Sequence, residues 1–212
     1  MIRFRDRRQA GRELAGRLER FAGRDDAIVL GLARGGVPVA YEVARALDLP
    51  LDVFLVRKLG TPGHEELAMG AIASGGVRVM NQQVTDALDL SEETIARVAT
   101  REQQELQRRE HDYRDGGDPA PVAGLTVILV DDGLATGSSM RAAVEALRQR
   151  EPAEIVVAVP IAPQQTCAEL EQIADSVVCA QMPEPFHAVG AWYEQFEQTT
   201  DDEVRELLAA RR

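Results

Sequence analysis

A chain of 212 residues is long enough for one well-filled α/β core and short for two independent domains, so one domain with appendages is expected. Apolar residues make up 45% and charged residues 28%, which excludes a disordered or collagenous chain, and an aromatic share of 4% leaves the core to Val, Leu, Ile and Ala. The formal net charge of -11 repels an extended nucleic-acid backbone over most of the surface, yet allows a small anion in a local positive pocket. No apolar run approaches the roughly 20 residues that span a bilayer, and residues 1–11 are too charged for a secretory signal. A cytoplasmic protein without a membrane partner is therefore expected. Cys167 and Cys179 lack C-x-x-C spacing and a nearby His cluster, and read as buried reduced thiols.

Residues 5–21 place Ala10, Leu14, Leu18 and Phe21 at helical spacing opposite a charged face, which predicts an amphipathic helix. The apolar run 27–32 stops at Arg34-Gly35-Gly36, the pattern of a buried strand feeding a glycine turn. Val39, Val43, Ala44 and Leu47 then resume a helical period, and 51–56 is again β-rich, completing a βαβ unit with parallel strands and a right-handed crossover. Between 60 and 76, turn residues surround a small apolar patch at 67–72, and a strand is predicted over 77–80. Ser91-Glu92-Glu93-Thr94 reads as a helix start, and the polar run to Arg114 as a long exposed helix, ended by Gly116-Gly117-Asp118-Pro119. The strongest strand signal, 126–130, closes on Asp131-Asp132, and a small-residue turn leads into a helix over 140–150. A strand over 155–160, a helix over 164–173 and a short strand over 176–180 follow. Beyond Met182, Pro183, Pro185, Phe186, Trp192, Tyr193 and Phe196 form an aromatic tail for which core packing and base stacking are both open, before a closing helix over 201–208. Alternating strands and helices define an α/β fold: three layers, with a parallel sheet of about five strands flanked by helices and a ligand site beyond the strands' carboxyl ends.

One segment carries chemistry. Residues 127–139 join an apolar strand, two adjacent carboxylates, a small-residue turn and a helix start. Small residues leave backbone N–H groups unshielded and the helix behind them adds its positive end, so the turn suits a phosphate. Thr136, Ser138 and Ser139 can add hydroxyl donors, while the carboxylates suit a ribose diol or a metal that carries it.

Val130-Asp131-Asp132-Gly133-Leu134-Ala135-Thr136-Gly137-Ser138-Ser139 closely resembles the signature with which type I phosphoribosyltransferases bind 5-phosphoribosyl-1-pyrophosphate (PRPP). The resemblance extends over most of the chain and implies that Asp131 and Asp132 hold the ribose hydroxyls while Gly133 and the loop Ala135 to Ser139 wrap the 5-phosphate. It places Arg34 and Gly35 in the pyrophosphate loop and brings Arg57 and Lys58, at the end of the second strand, toward the same group. It also implies a lid over 60–121, with the polar helix serving equally as lid, dimer contact or solvated face. A hood joins the N-terminal segment to 182–212 around Phe186, His187, Trp192 and Tyr193, with Trp192 as the base-stacking candidate. His64, His111 and His187 show no ligand spacing.

By this resemblance the protein is expected to be a Mg²⁺-dependent transferase that takes PRPP and a small nitrogenous acceptor and forms a homodimer. Asp131 and Asp132 hold the metal directly or through water, and Asp131, Asp132, Arg34 and Lys58 form the catalytic set. Relatives that salvage hypoxanthine or guanine carry Asp where this chain has Ala135, so the resemblance stops short of an oxopurine acceptor. It is nearest to stand-alone bacterial phosphoribosyltransferase-domain proteins of unassigned acceptor. A non-catalytic PRPP or nucleotide sensor and a hydrolase that releases pyrophosphate to water are the alternatives. Asp132 is expected to face solvent in the empty site, so that Asp132→Asn weakens ribose binding with little effect on folding.

Overall fold

The computed structural model describes residues 3–211; the first two residues of the expected charged start, and Arg212 at the end of the expected hood, lie outside them. The α/β architecture has a parallel sheet of β1 (Ala27–Leu32), β2 (Leu51–Phe54), β6 (Thr126–Val130), β7 (Glu154–Ile161) and β8 (Ser176–Gln181), in the order β2-β1-β6-β7-β8. Successive side chains of a strand point to opposite faces, and both faces here are covered, so these strands read as continuous apolar runs. Val29, Ile128 and Val156 join a cluster with Leu14, Val39 and Val43 from α1 (Arg7–Ala15) and α2 (Gly36–Leu47). Their neighbours Ile28, Val127 and Val157 pack instead on Met140, Val144 and Leu147 of α5 (Ser138–Arg148) and on Leu170 of α6 (Gln164–Leu170).

A second sheet departs from the sequence reading. β3 (Val56–Thr61), β4 (His64–Ala73) and β5 (Val77–Met80) form an antiparallel sheet, so the stretch read as turns around a small apolar patch contains a strand of 10 residues. Gly60, Pro62 and Gly63 do supply a turn, but only the tip of the β3–β4 hairpin. After α3 (Gln82–Ala87), α4 (Glu92–Arg114) starts at the Ser91 cap, whose side chain accepts from Thr94 N–H. It is not a wholly solvated helix: Val98, Ala99, Leu106 and Tyr113 are buried along one side. Its last turn is tied to β2, because the buried Asp52 carboxylate accepts from Arg114 Nε at 2.9 Å and from Ala120 N–H at 2.9 Å. Loss of one member would strand a buried charge, which costs about 3–5 kcal/mol.

The N-terminal segment and the tail meet. Phe4 N–H donates to Trp192 O at 2.9 Å and Glu194 N–H returns to Phe4 O at 2.9 Å, while Phe4, Ala10, Ile161 and Tyr193 bury a small separate core. α7 (Asp201–Ala209) then packs on α2 and α4. No helix among the described residues is long and apolar enough to cross a membrane.

Candidate functional site

From β1 the chain moves outward to β2 and later returns on the other side of β1 as β6, which makes the carboxyl ends of β1 and β6 the switch point where ligands of open α/β sheets bind. β1 runs into Ala33-Arg34-Gly35-Gly36, with a cis Ala33–Arg34 peptide, and β6 runs into Asp131-Asp132. The two turns are pressed together. A Cβ on Gly36 would stand 2.6 Å from Val130 O and 2.8 Å from Asp131 Cα, and one on Gly35 would strike the Asp132 carboxylate.

Asp131 and Asp132 are half-buried. Asp131 Oδ1 accepts from Asp132 N–H at 2.8 Å, and burial together with the neighbouring Asp132 charge pushes its carboxyl well above the usual range. Burial also raises Asp132, against the pull of Arg7. That arginine was not singled out in the sequence: Arg7 Nε donates to Asp132 Oδ2 at 2.7 Å, so Asp132 does not simply face solvent as expected but is already ion-paired across the site. Packing of the N-terminal segment against the tail brings residue 7 to residue 132. Tyr193, rather than Trp192, reaches the same residue, its hydroxyl donating to Asp132 O at 2.6 Å. Trp192 lies in the turn Val189–Trp192, whose Val189 leaves no room for a Cβ on Gly133, and its buried Nε1 has no partner among the described residues.

The turn after the carboxylates is open. Ala135, Thr136, Ser138 and Ser139 are exposed, Thr136 Oγ1 and Ser138 Oγ lie 2.9 Å apart, and the N–H groups of Ala135, Thr136 and Gly137 donate to no backbone oxygen among the described residues. Gly137 takes φ +70° at the start of α5, and a Cβ there would lie 2.8 Å from Thr166 Cγ2. Thr166 Oγ1 donates to Ala135 O at 2.8 Å and so fixes the turn from behind. Free N–H groups, hydroxyls and a helix N-terminus together make an anion cradle.

The basic residues are spread more widely than the sequence suggested. Arg34 Nη1 lies 3.7 Å from Asp201 Oδ1, which also accepts from Tyr113 OH at 2.5 Å; burial and Asp201 push the Tyr113 hydroxyl upward. Arg34, Arg108, Arg109 and Arg205 line a cleft of about 440 Å³ between α4 and α7. Arg57 and Lys58 are not at the end of β2 but inside β3, on opposite faces by strand alternation. Arg57 turns to α4 and binds Glu102 Oε2 through Nε at 2.7 Å, while Lys58 is exposed opposite Ala71. The described residues contain no group of three or more His, Cys, Asp or Glu placed for a metal. Two adjacent carboxylates fit an ion such as Mg²⁺ that takes its other ligands from water and phosphates.

A parallel α/β sheet with a phosphate-type turn and an acidic pair at its switch point defines the class, and the chain belongs to the phosphoribosyl transferase domain family, which matches residues 5–195. It is 47% identical over 205 residues to a Mycobacterium tuberculosis protein named "Putative phosphoribosyl transferase", covering 97% of this chain and 46% of the relative. The chain thus spans about half the length of the curated relatives it matches. The crystal structure of TT1426 from Thermus thermophilus superposes with a TM-score of 0.86 at 43% identity, over 99% of both chains. A Neisseria gonorrhoeae protein solved with bound ppGpp shares the fold alone, with a TM-score of 0.50 at 14% identity over 100% of this chain and 97% of the other.

Proposed function

We propose that the protein transfers the 5-phosphoribosyl group of PRPP to a nitrogenous base or small amine and releases pyrophosphate. The observation that carries this reading is the close apposition of Gly35 and Gly36 with Asp131 and Asp132, beside the open turn at 135–139. In this reading the N–H groups and hydroxyls from Ala135 to Ser139 hold the 5-phosphate, with Gly133 and Gly137 giving the turn its shape. Asp131 and Asp132 accept from the ribose hydroxyls. Arg34 and the Gly35 N–H meet the pyrophosphate, and Lys58 adds a cation from the hairpin. Asp131 and Asp132 would hold Mg²⁺, directly or through water, and it would supply charge neutralisation for the leaving group.

Substitution at the anomeric carbon builds positive charge on the ribose as pyrophosphate departs. The protein's contribution is to fix the sugar between phosphate turn and acidic pair, and to stabilise charge rather than form a covalent bond. The hood above Asp132, with Trp192 and Tyr193, is the place for the acceptor. The test is pyrophosphate release from PRPP with Mg²⁺, across a panel of bases and amines and with no acceptor. Acceptor-dependent release is expected. Release to water alone would make the protein a hydrolase, and PRPP binding without release would make it a sensor.

A further inference from the structure

We propose that Arg7 is a positioning residue for the ribose subsite: it clamps one oxygen of Asp132 and leaves the other for the sugar. The inference rests on the reading of Asp132 as a ribose-binding residue. Arg7 Nε holds Oδ2 at 2.7 Å, and no side chain among the described residues donates to Oδ1. A carboxylate free to rotate presents its oxygens in many directions, whereas one fixed through Oδ2 presents Oδ1 in a single direction, and a well-aimed acceptor spares the ligand that ordering cost.

Beyond Asp132, two further contacts hold Arg7. Its guanidinium lies 4.0 Å above the Phe196 ring, its Nη1 donates to Glu197 O at 2.7 Å, and its side chain is only 13% exposed. Phe196 stacks on Tyr193 at 4.8 Å, and the Tyr193 hydroxyl grips the backbone of the same Asp132 at 2.6 Å. Carboxylate and carbonyl of one residue are therefore both anchored by the hood. Without the cation, two neighbouring half-buried carboxylates would repel each other and Asp132 would lose its aim. The N-terminal segment is in this way part of the sugar site, and the hood sets ribose geometry besides covering the acceptor.

The test is calorimetric titration of the wild type, Arg7→Gln and Arg7→Lys with ribose 5-phosphate, its 2-deoxy and 3-deoxy analogues, and inorganic phosphate. The wild type is expected to prefer ribose 5-phosphate over at least one deoxy analogue. In Arg7→Gln, affinity for ribose 5-phosphate falls about tenfold or more, the loss expected for a hydrogen bond to a charged group. Affinity for the disfavoured analogue and for inorganic phosphate stays, so discrimination collapses, and Arg7→Lys recovers part of it. Undiminished discrimination in Arg7→Gln, or equal loss of every ligand in a folded Arg7→Lys, overturns the proposal while leaving the PRPP reading intact. A wild type that binds PRPP but does not distinguish the deoxy analogues also overturns it. A wild type that binds neither ribose 5-phosphate nor PRPP removes the underlying reading and this inference together.

Discussion

Asp131 is held where a carboxylate is costly to keep charged. It is half-buried beside Asp132, and both burial and that neighbour disfavour its ionised form. The hydrogen bond it accepts from Asp132 N–H at 2.8 Å can be accepted equally by an amide oxygen. Asp131→Asn should therefore stabilise the ligand-free protein at neutral pH in the presence of chelator, by about 0.5–2 kcal/mol, while abolishing PRPP binding. Thermal melts and titrations of the one variant check both halves, and a destabilised variant would contradict the argument. Much of this site was legible in the sequence, because the strand, acidic pair, small-residue turn and helix start are contiguous from 126 to 139. Arg7 was not, since an arginine on the polar face of an amphipathic helix has the same local pattern whether it meets water or a residue 125 positions away.

The same contrast holds for elements. β1 and β6 follow from unbroken apolar runs, and the expected start of α4 follows from its Ser91 cap. β4 was hidden because it mixes His64, Ala68, Gly70 and Ala71 with few β-branched residues and follows a Pro-Gly turn; pairing with β3 and β5, not propensity, makes it a strand. α4 is tied to that sheet by Glu102, which bonds Arg57 at 2.7 Å and Arg101 at 3.0 Å. Burial tends to raise Glu102, but the two arginines outweigh it and hold the carboxyl below its usual value of 4.5. A depressed acid stabilises the fold above its unfolded pKa, and that stability is lost as pH falls through the lower folded value. Glu102→Gln should thus melt below the wild type at pH 7, and the two melting temperatures should converge as pH drops below about 4.5. A difference that persists unchanged in acid would assign the role of Glu102 to packing rather than charge.

At the scale of the whole molecule, an acidic chain lines two separate clefts with several of its cations. Against a net charge of -11, Arg34, Arg108, Arg109 and Arg205 line one cleft, and Arg57, Lys58, Arg97 and Arg101 line a groove of about 560 Å³ beside the β3–β4 hairpin. α4 contributes to both. Local positive potential in a cleft focuses a small anionic ligand, although Asp112, Asp201 and Asp202 offset much of it in the first of the two. The most direct test of the central claim is calorimetric titration with PRPP and Mg²⁺, with ribose 5-phosphate and nucleoside monophosphates as comparators. Binding of PRPP that depends on Mg²⁺ and exceeds that of the monophosphates is the predicted result; no binding of PRPP, with or without Mg²⁺, would contradict the account.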